Sequence, residues 1–182
     1  MSEPEKTVTA FADCRQLARG TPATVAAQVR SALEAKPDAR ILVLDDLSGA
    51  AVDLDLRSVA ADPAQSDLAA PSARKAGRPR LGVASREVTL LPRHWEWLAA
   101  QPGGASVTLR RLVEAARRDP EQIRRAARDA AYRAMSALAG DLAGFEEASR
   151  ALFADDRTAL IGQMSDWPSD VTAYLLSLLD RS

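Results

Sequence analysis

The sequence predicts an α+β protein: an N-terminal ββαββ module, a flexible basic linker, a strand-helix-helix segment and a C-terminal helical bundle. Three observations lead there. Strand-type patterns crowd into the first 57 residues, where Thr7 to Phe11 and Val52 to Leu56 alternate and Ile41 to Leu44 is continuously apolar. Beyond Pro92 the apolar spacing turns helical, with breakers such as Gln101-Pro102-Gly103-Gly104 and Asp119-Pro120 between helical stretches. Charge is segregated as well. Arg74 to Arg133 holds 14 basic and 6 acidic residues, whereas the chain as a whole carries a net charge of −1.

The N-terminal module is read over residues 6–57. Thr7-Val8-Thr9-Ala10-Phe11 is a strand, Asp13-Cys14 a turn and Arg15 to Arg19 a return strand. Thr21-Pro22 starts a helix, with threonine as N-cap and proline at the first helical position. Val25, Val29 and Leu33 give that helix an apolar face, and Lys36-Pro37-Asp38 ends it. Arg40 to Leu44 is a strand, Asp45 to Gly49 a turn, and Val52 to Leu56 a further strand. A small antiparallel sheet with one helix across a face satisfies this order. Residues 58–80 have no period and are rich in small, polar and breaker residues, which reads as a flexible linker with a basic end.

Residues 81–118 read as strand, helix, turn, helix. Val88 to Leu91 is the strand, and Pro92 opens a helix carrying Trp95, Trp97 and Leu98. The second helix starts near Ala105 or Ser106, with Leu109, Leu112, Val113 and Ala116 at i, i+3, i+4, i+7. Residues 119–182 are the helical bundle. Asp119-Pro120-Glu121-Gln122 is a capped start, and three short helices follow over Phe145 to Phe153, Arg157 to Met164 and Pro168 to Leu179.

Composition excludes several functions. One cysteine, Cys14, rules out an intramolecular disulfide and a multi-cysteine metal site; one histidine, His94, rules out histidine-rich metal centres. No nucleophile stands with a base, and no glycine-rich phosphate loop appears, so no enzyme is expected and no cofactor or metal is called for. The start lacks a basic region followed by an apolar run, and no apolar stretch reaches the roughly 20 residues that span a bilayer, so a cytoplasmic location without membrane contact is expected. Asp45, Asp46, Asp53 and Asp55 are read as turn formers and the wet face of a sheet rather than as a cation site. Trp95, Trp97 and Trp167 are read as core or subunit-interface anchors.

The basic middle points to a polyanion, and DNA is the expected partner. Gly77-Arg78-Pro79, with Arg74, Lys75 and Arg80 around it, resembles the core of an AT-hook. In such a motif glycine lets the backbone sit low in the narrow minor groove of A·T-rich DNA, and arginines lie along its negative floor. Ala76 stands where the stronger form of the motif has arginine.

The segment from Arg86 to Arg118 resembles a ribbon-helix-helix domain. The resemblance implies a homodimer, in which two strands pair as a ribbon that enters the major groove. It makes Arg86 and Thr89 candidates to meet base edges. It makes Ser106, at the start of the second helix, a candidate to hold a phosphate. Leu90-Leu91 breaks the alternation, so the register that turns Thr89 or Val88 outward stays open. Whether this segment dimerises or packs on its own chain also stays open.

Over nearly its full length the chain resembles an uncharacterised bacterial family, domain-of-unknown-function family 2239. The resemblance rests on Arg86-Glu87-Val88-Thr89-Leu90-Leu91-Pro92-Arg93-His94-Trp95-Glu96-Trp97-Leu98, on Gln101 to Ser106, on Ala139-Gly140-Asp141 and on Gly144 to Ala148. It implies no activity. The function expected from the residues is a dimeric DNA-binding protein that regulates transcription. The rival expectation is a protein-interaction adaptor whose arginines are a solvated face.

Overall fold

The structure is a computed structural model that describes residues 6–56 and 86–181. The linker from 58 to 80 lies outside the described residues, and with it Arg74, Lys75, Arg78 and Arg80. The fold is mixed α+β, with a three-stranded antiparallel sheet and seven helices among the described residues. The chain divides into two compact units: residues 1–60 with 119–182, and residues 61–118.

In the first unit, β1 (Val8–Ala12) lies between β2 (Arg15–Gly20) and β3 (Ile41–Asp45) and pairs antiparallel with both. Asp13 and Cys14 form the two-residue hairpin turn, both with positive φ, as a turn that follows the right-handed twist of the strands requires. Helix α1 (Pro22–Ala35) starts as its sequence dictates: the Thr21 side chain accepts from the Thr24 amide, and proline takes the first turn.

Alternation along the strands sends side chains to two buried faces. Val8, Ala10 and Val43 pack with Val25 and Val29 of α1. Phe11 and Leu44 point the other way, into a core built by α4 (Pro120–Ala139), α5 (Phe145–Phe153), α6 (Arg157–Gln163) and α7 (Ser169–Leu179). The sheet therefore lies between α1 and the C-terminal helices. The sequence divides residues 6–57 from 119–182, whereas these two stretches share one core around Phe11, Leu44, Met135, Leu138, Met164, Tyr174, Leu175 and Leu178. A buried face of β1 and β3 that α1 does not cover needs a second apolar layer, and α4 and α7 supply it.

The alternating run Val52 to Leu56 does not form the expected fourth strand. It contributes one isolated bridge, Leu44 to Ala51, and one amide bond from Val52 to Val43 at 2.9 Å. The turn before it is pinned elsewhere. Gly49, at φ +66°, sits where a Cβ would fall 1.9 Å from the carbonyl oxygen of Ala130, and Arg133 Nη1 donates to the Ser48 carbonyl at 2.6 Å. Val52, Leu54 and Leu56 still turn inward against the α1 layer, so the alternation records burial without strand pairing.

Asp46 is the second departure from the sequence reading, which places it on a wet turn. Its side chain is 1% exposed. Oδ1 accepts from Thr9 Oγ1 of β1 at 2.6 Å and from the Tyr174 hydroxyl of α7 at 3.2 Å. Oδ2 accepts from Arg19 Nε of β2 at 3.0 Å and faces Arg181 Nη2 at 3.5 Å. Burial works to raise the Asp46 pKa. Hydrogen bonds from Thr9 and Arg19, the Arg19 charge and a contact with Thr7 outweigh it and hold the carboxyl below its ordinary value.

In the second unit, α2 (Pro92–Ala99) and α3 (Gly104–Arg117) form a helical hairpin across Gln101 to Gly103. Residues 86–91 before it carry no strand hydrogen bonds in the single chain, where Val88 to Leu91 is expected as a strand. A ribbon strand needs a partner strand, and none is present within the described residues of one chain.

Candidate nucleic-acid interface

The helical hairpin follows from its breakers. Pro92 occupies the first turn of α2, where its missing N–H costs nothing. Gly103 and Gly104, at φ +85° and +73°, turn the chain into α3 through a left-handed conformation that other residues adopt at a cost. No side chain caps α3, and no acidic residue stands in its first turn. Its amino-terminal end thus presents the positive end of the helix dipole with no acidic side chain in its own first turn.

Of the residues singled out in the sequence, Arg86 and Thr89 are exposed on the extended stretch ahead of α2, and Ser106 is exposed in the first turn of α3. Arg110 folds back along α3, with Nε donating to the Ser106 carbonyl at 3.1 Å. Arg117 and Arg118 both face Glu114, at 3.2 and 3.8 Å. Exposed pairs of this kind contribute little to stability and leave the arginines free to exchange partners.

The apolar residues of this unit are the unexpected part. Leu98 is buried, but Val88, Leu91, Trp95, Trp97, Val107, Leu112 and Val113 are between 41% and 55% exposed. The face that the helical periodicity of Leu112 and Val113 marks as internal is therefore open to solvent. So many half-exposed large apolar side chains are uncommon in so short a segment of a monomeric protein.

His94 is exposed in the first turn of α2. In the first unit, Cys14 donates its thiol to the Leu138 carbonyl at 3.4 Å, and the buried Trp167 donates from Nε1 to the Ala143 carbonyl at 2.8 Å, both bonds being part-buried. Among the described residues no three His, Cys, Asp or Glu side chains gather as a metal site, and no helix is long and apolar enough to cross a membrane.

The family model described as an uncharacterized protein conserved in bacteria (DUF2239) matches residues 7–179. The chain belongs to this family. The match runs through both the sheet with its C-terminal helices and the helical hairpin, so membership covers both units. No curated protein and no solved structure matches the chain.

Proposed function

We propose that the protein is a dimeric DNA-binding protein, a regulator of transcription, that works through residues 86–118. The observation that carries this reading is the exposure of Val88, Leu91, Trp95, Leu112 and Val113 on an extended stretch followed by two helices. A ribbon-helix-helix fold buries such residues only when a second copy pairs its strand antiparallel and packs its helices across the two-fold axis. In that dimer Arg86 and Thr89 reach base edges from the ribbon, and the first turn of α3 around Ser106 holds a backbone phosphate. The AT-hook-like segment of Arg74, Lys75, Arg78 and Arg80 adds minor-groove affinity for A·T-rich DNA.

The test is a salt series of duplex DNA binding on the purified chain, together with its sedimentation. A dimer whose affinity falls steeply with salt supports the reading. A monomer that ignores DNA at low salt defeats it and favours the adaptor, in which the acidic N-terminal sheet or the C-terminal bundle binds a protein partner and the arginines are a solvated face.

A further inference from the structure

Phe11 and Tyr174 belong to the core, and the remaining phenylalanines and tyrosine, Phe145, Phe153 and Tyr132, gather on the seam between α4 and α5. Tyr132 is the middle ring, its centroid 5.2 Å from Phe153 and 6.5 Å from Phe145. Phe153 is 51% exposed and Tyr132 37%. Phe145 is partly buried against the core, so Tyr132 and Phe153 are the two rings of the seam that stand open to solvent.

One helical turn before Tyr132 on the same face stands Arg128. Its Nε is buried and has no hydrogen-bond partner. A desolvated donor without an acceptor is costly, and a ligand that brings one recovers the loss. Arg128 lines a recess of about 100 Å³ together with Arg124, Arg157, Asp155 and Asp156, large enough for a small oxyanion. Other charges there already have partners: Arg124 binds Glu121 at 2.6 Å, Arg157 binds Asp180 at 2.8 Å, and Asp156 accepts from the Ala159 amide at 2.9 Å. Asp155 acts electrostatically on Arg124. Arg125, exposed on α4, adds positive charge to the helix.

We propose that this seam binds single-stranded nucleic acid, with bases stacked on Tyr132 and Phe153 and a phosphate oxygen accepting from Arg128. Exposed rings and a guanidinium whose Nε lacks an acceptor are the two groups that a nucleotide engages together, one through its base and one through its backbone. An apolar protein partner would cover the rings and leave Arg128 without an acceptor. The site lies in the first unit and is independent of the duplex-binding reading of residues 86–118.

The test uses the full chain and a fluorescein-labelled oligothymidylate, followed by anisotropy at low salt. Wild type binds; Tyr132→Leu and Phe153→Leu weaken binding by about tenfold each, and Tyr132→Phe retains it. Arg128→Gln weakens binding and lowers the salt slope by about 0.7, the share of one single-strand phosphate. Arg15→Ala, which removes an exposed arginine of β2 outside the seam, leaves single-strand binding unchanged, which separates the seam from general positive charge. Circular dichroism establishes that each variant is folded. The proposal is overturned if wild type ignores the oligonucleotide, if folded seam variants bind as wild type does, or if Phe153→Leu instead dissociates an oligomer, which would make the rings a contact between copies.

Discussion

The Tyr174 hydroxyl donates to Asp46 Oδ1 across 3.2 Å, and so bonds α7 to the turn after β3 although 128 positions separate the two residues. The Tyr174 ring meets Phe11 of β1 edge-on, with centroids 5.2 Å apart. One residue of α7 therefore touches the sheet through both its ring and its hydroxyl. The Asp46 carboxylate stays ionised because Thr9, Arg19 and Arg181 also face it.

Asp46→Asn should destabilise the protein by about 1–3 kcal/mol, as weakening the hydrogen bonds of a buried charged group does, the arginine partners being partly exposed. Urea unfolding at neutral pH measures it. The pH dependence follows from the direction of the shift. The Asp46 pKa is lowered from 3.8 on folding, so its contribution is complete above that value and is lost as pH falls through the folded-state pKa. The stability difference between wild type and Asp46→Asn should shrink on acidification. A difference that stays constant from neutral pH to below 3.8 would contradict the ionised hub.

Tyr174→Phe keeps the ring against Phe11 and deletes only the hydroxyl. It should cost about 1.5–3 kcal/mol, the range for a hydrogen bond to a charged group. Burial first, and then the Asp46 charge, push the Tyr174 phenol well above its ordinary 10.0. A raised folded-state pKa stabilises fully below the unfolded value, and that stability is lost as pH rises beyond it. Wild type should therefore lose stability above pH 10 more steeply than Tyr174→Phe, as alkaline denaturation curves will register.

Gly49→Ala should be among the most damaging small substitutions. Its φ is +66°, and the added methyl would meet the Ala130 carbonyl at 1.9 Å, where backbone cannot yield cheaply. A loss of more than about 2 kcal/mol is expected. Gly162→Ala is the control, since nothing lies within 4 Å of its Cβ position in α6. Helix propensity there favours alanine by up to about 1 kcal/mol. Thermal melts that rank the two variants the other way round would refute the close approach of the turn to α4.

Val88→Asp should convert a dimer to a monomer or to insoluble protein, because it sets a charge where the proposed ribbon pairs. Sedimentation across a concentration range distinguishes these outcomes. A wild type that stays monomeric at the highest concentration removes the basis for the dimer.

Arg86→Ala should reduce discrimination between a selected DNA site and random DNA by roughly 1–3 kcal/mol, with little effect on random DNA. Deleting Arg74 to Arg80 should instead lower both affinities together and flatten the salt slope. Equal losses on both DNAs from Arg86→Ala would make that residue a phosphate contact.

Capping, turn and helix-start signals in the sequence translate into local structure, whereas the strand patterns at Val52 to Leu56 and Val88 to Leu91 do not. Thr21-Pro22 and Asp119-Pro120 cap α1 and α4, Asp13-Cys14 makes the hairpin turn, and α5 and α6 start at Phe145 and Arg157, where periodicity places them. Distant relationships leave no such mark. Asp46 follows Asp45 in a run of turn formers, and no local pattern tells that one carboxylate caps the turn through Ser48 while the next is buried under α7. Alternation at Val52 to Leu56 reports burial on one side but is silent about hydrogen bonding. The row formed by Phe145, Phe153 and Tyr132 is equally invisible, because the turn between α4 and α5 brings together rings up to 21 positions apart.

The shared core of residues 6–56 and 119–181 also dictates an order of events during synthesis. The ribosome delivers the sheet first, with Phe11 and Leu44 bare on the side that α1 leaves uncovered. Those side chains stay exposed until α4 and α7 emerge, which begin 75 and 124 residues after Asp45. At roughly 5–20 residues per second the nascent sheet waits for several seconds with an unsatisfied apolar face. The intervening residues 61–118 are complete before their host unit is, so a stall or premature stop after Arg118 would release a sticky fragment rather than a smaller working protein.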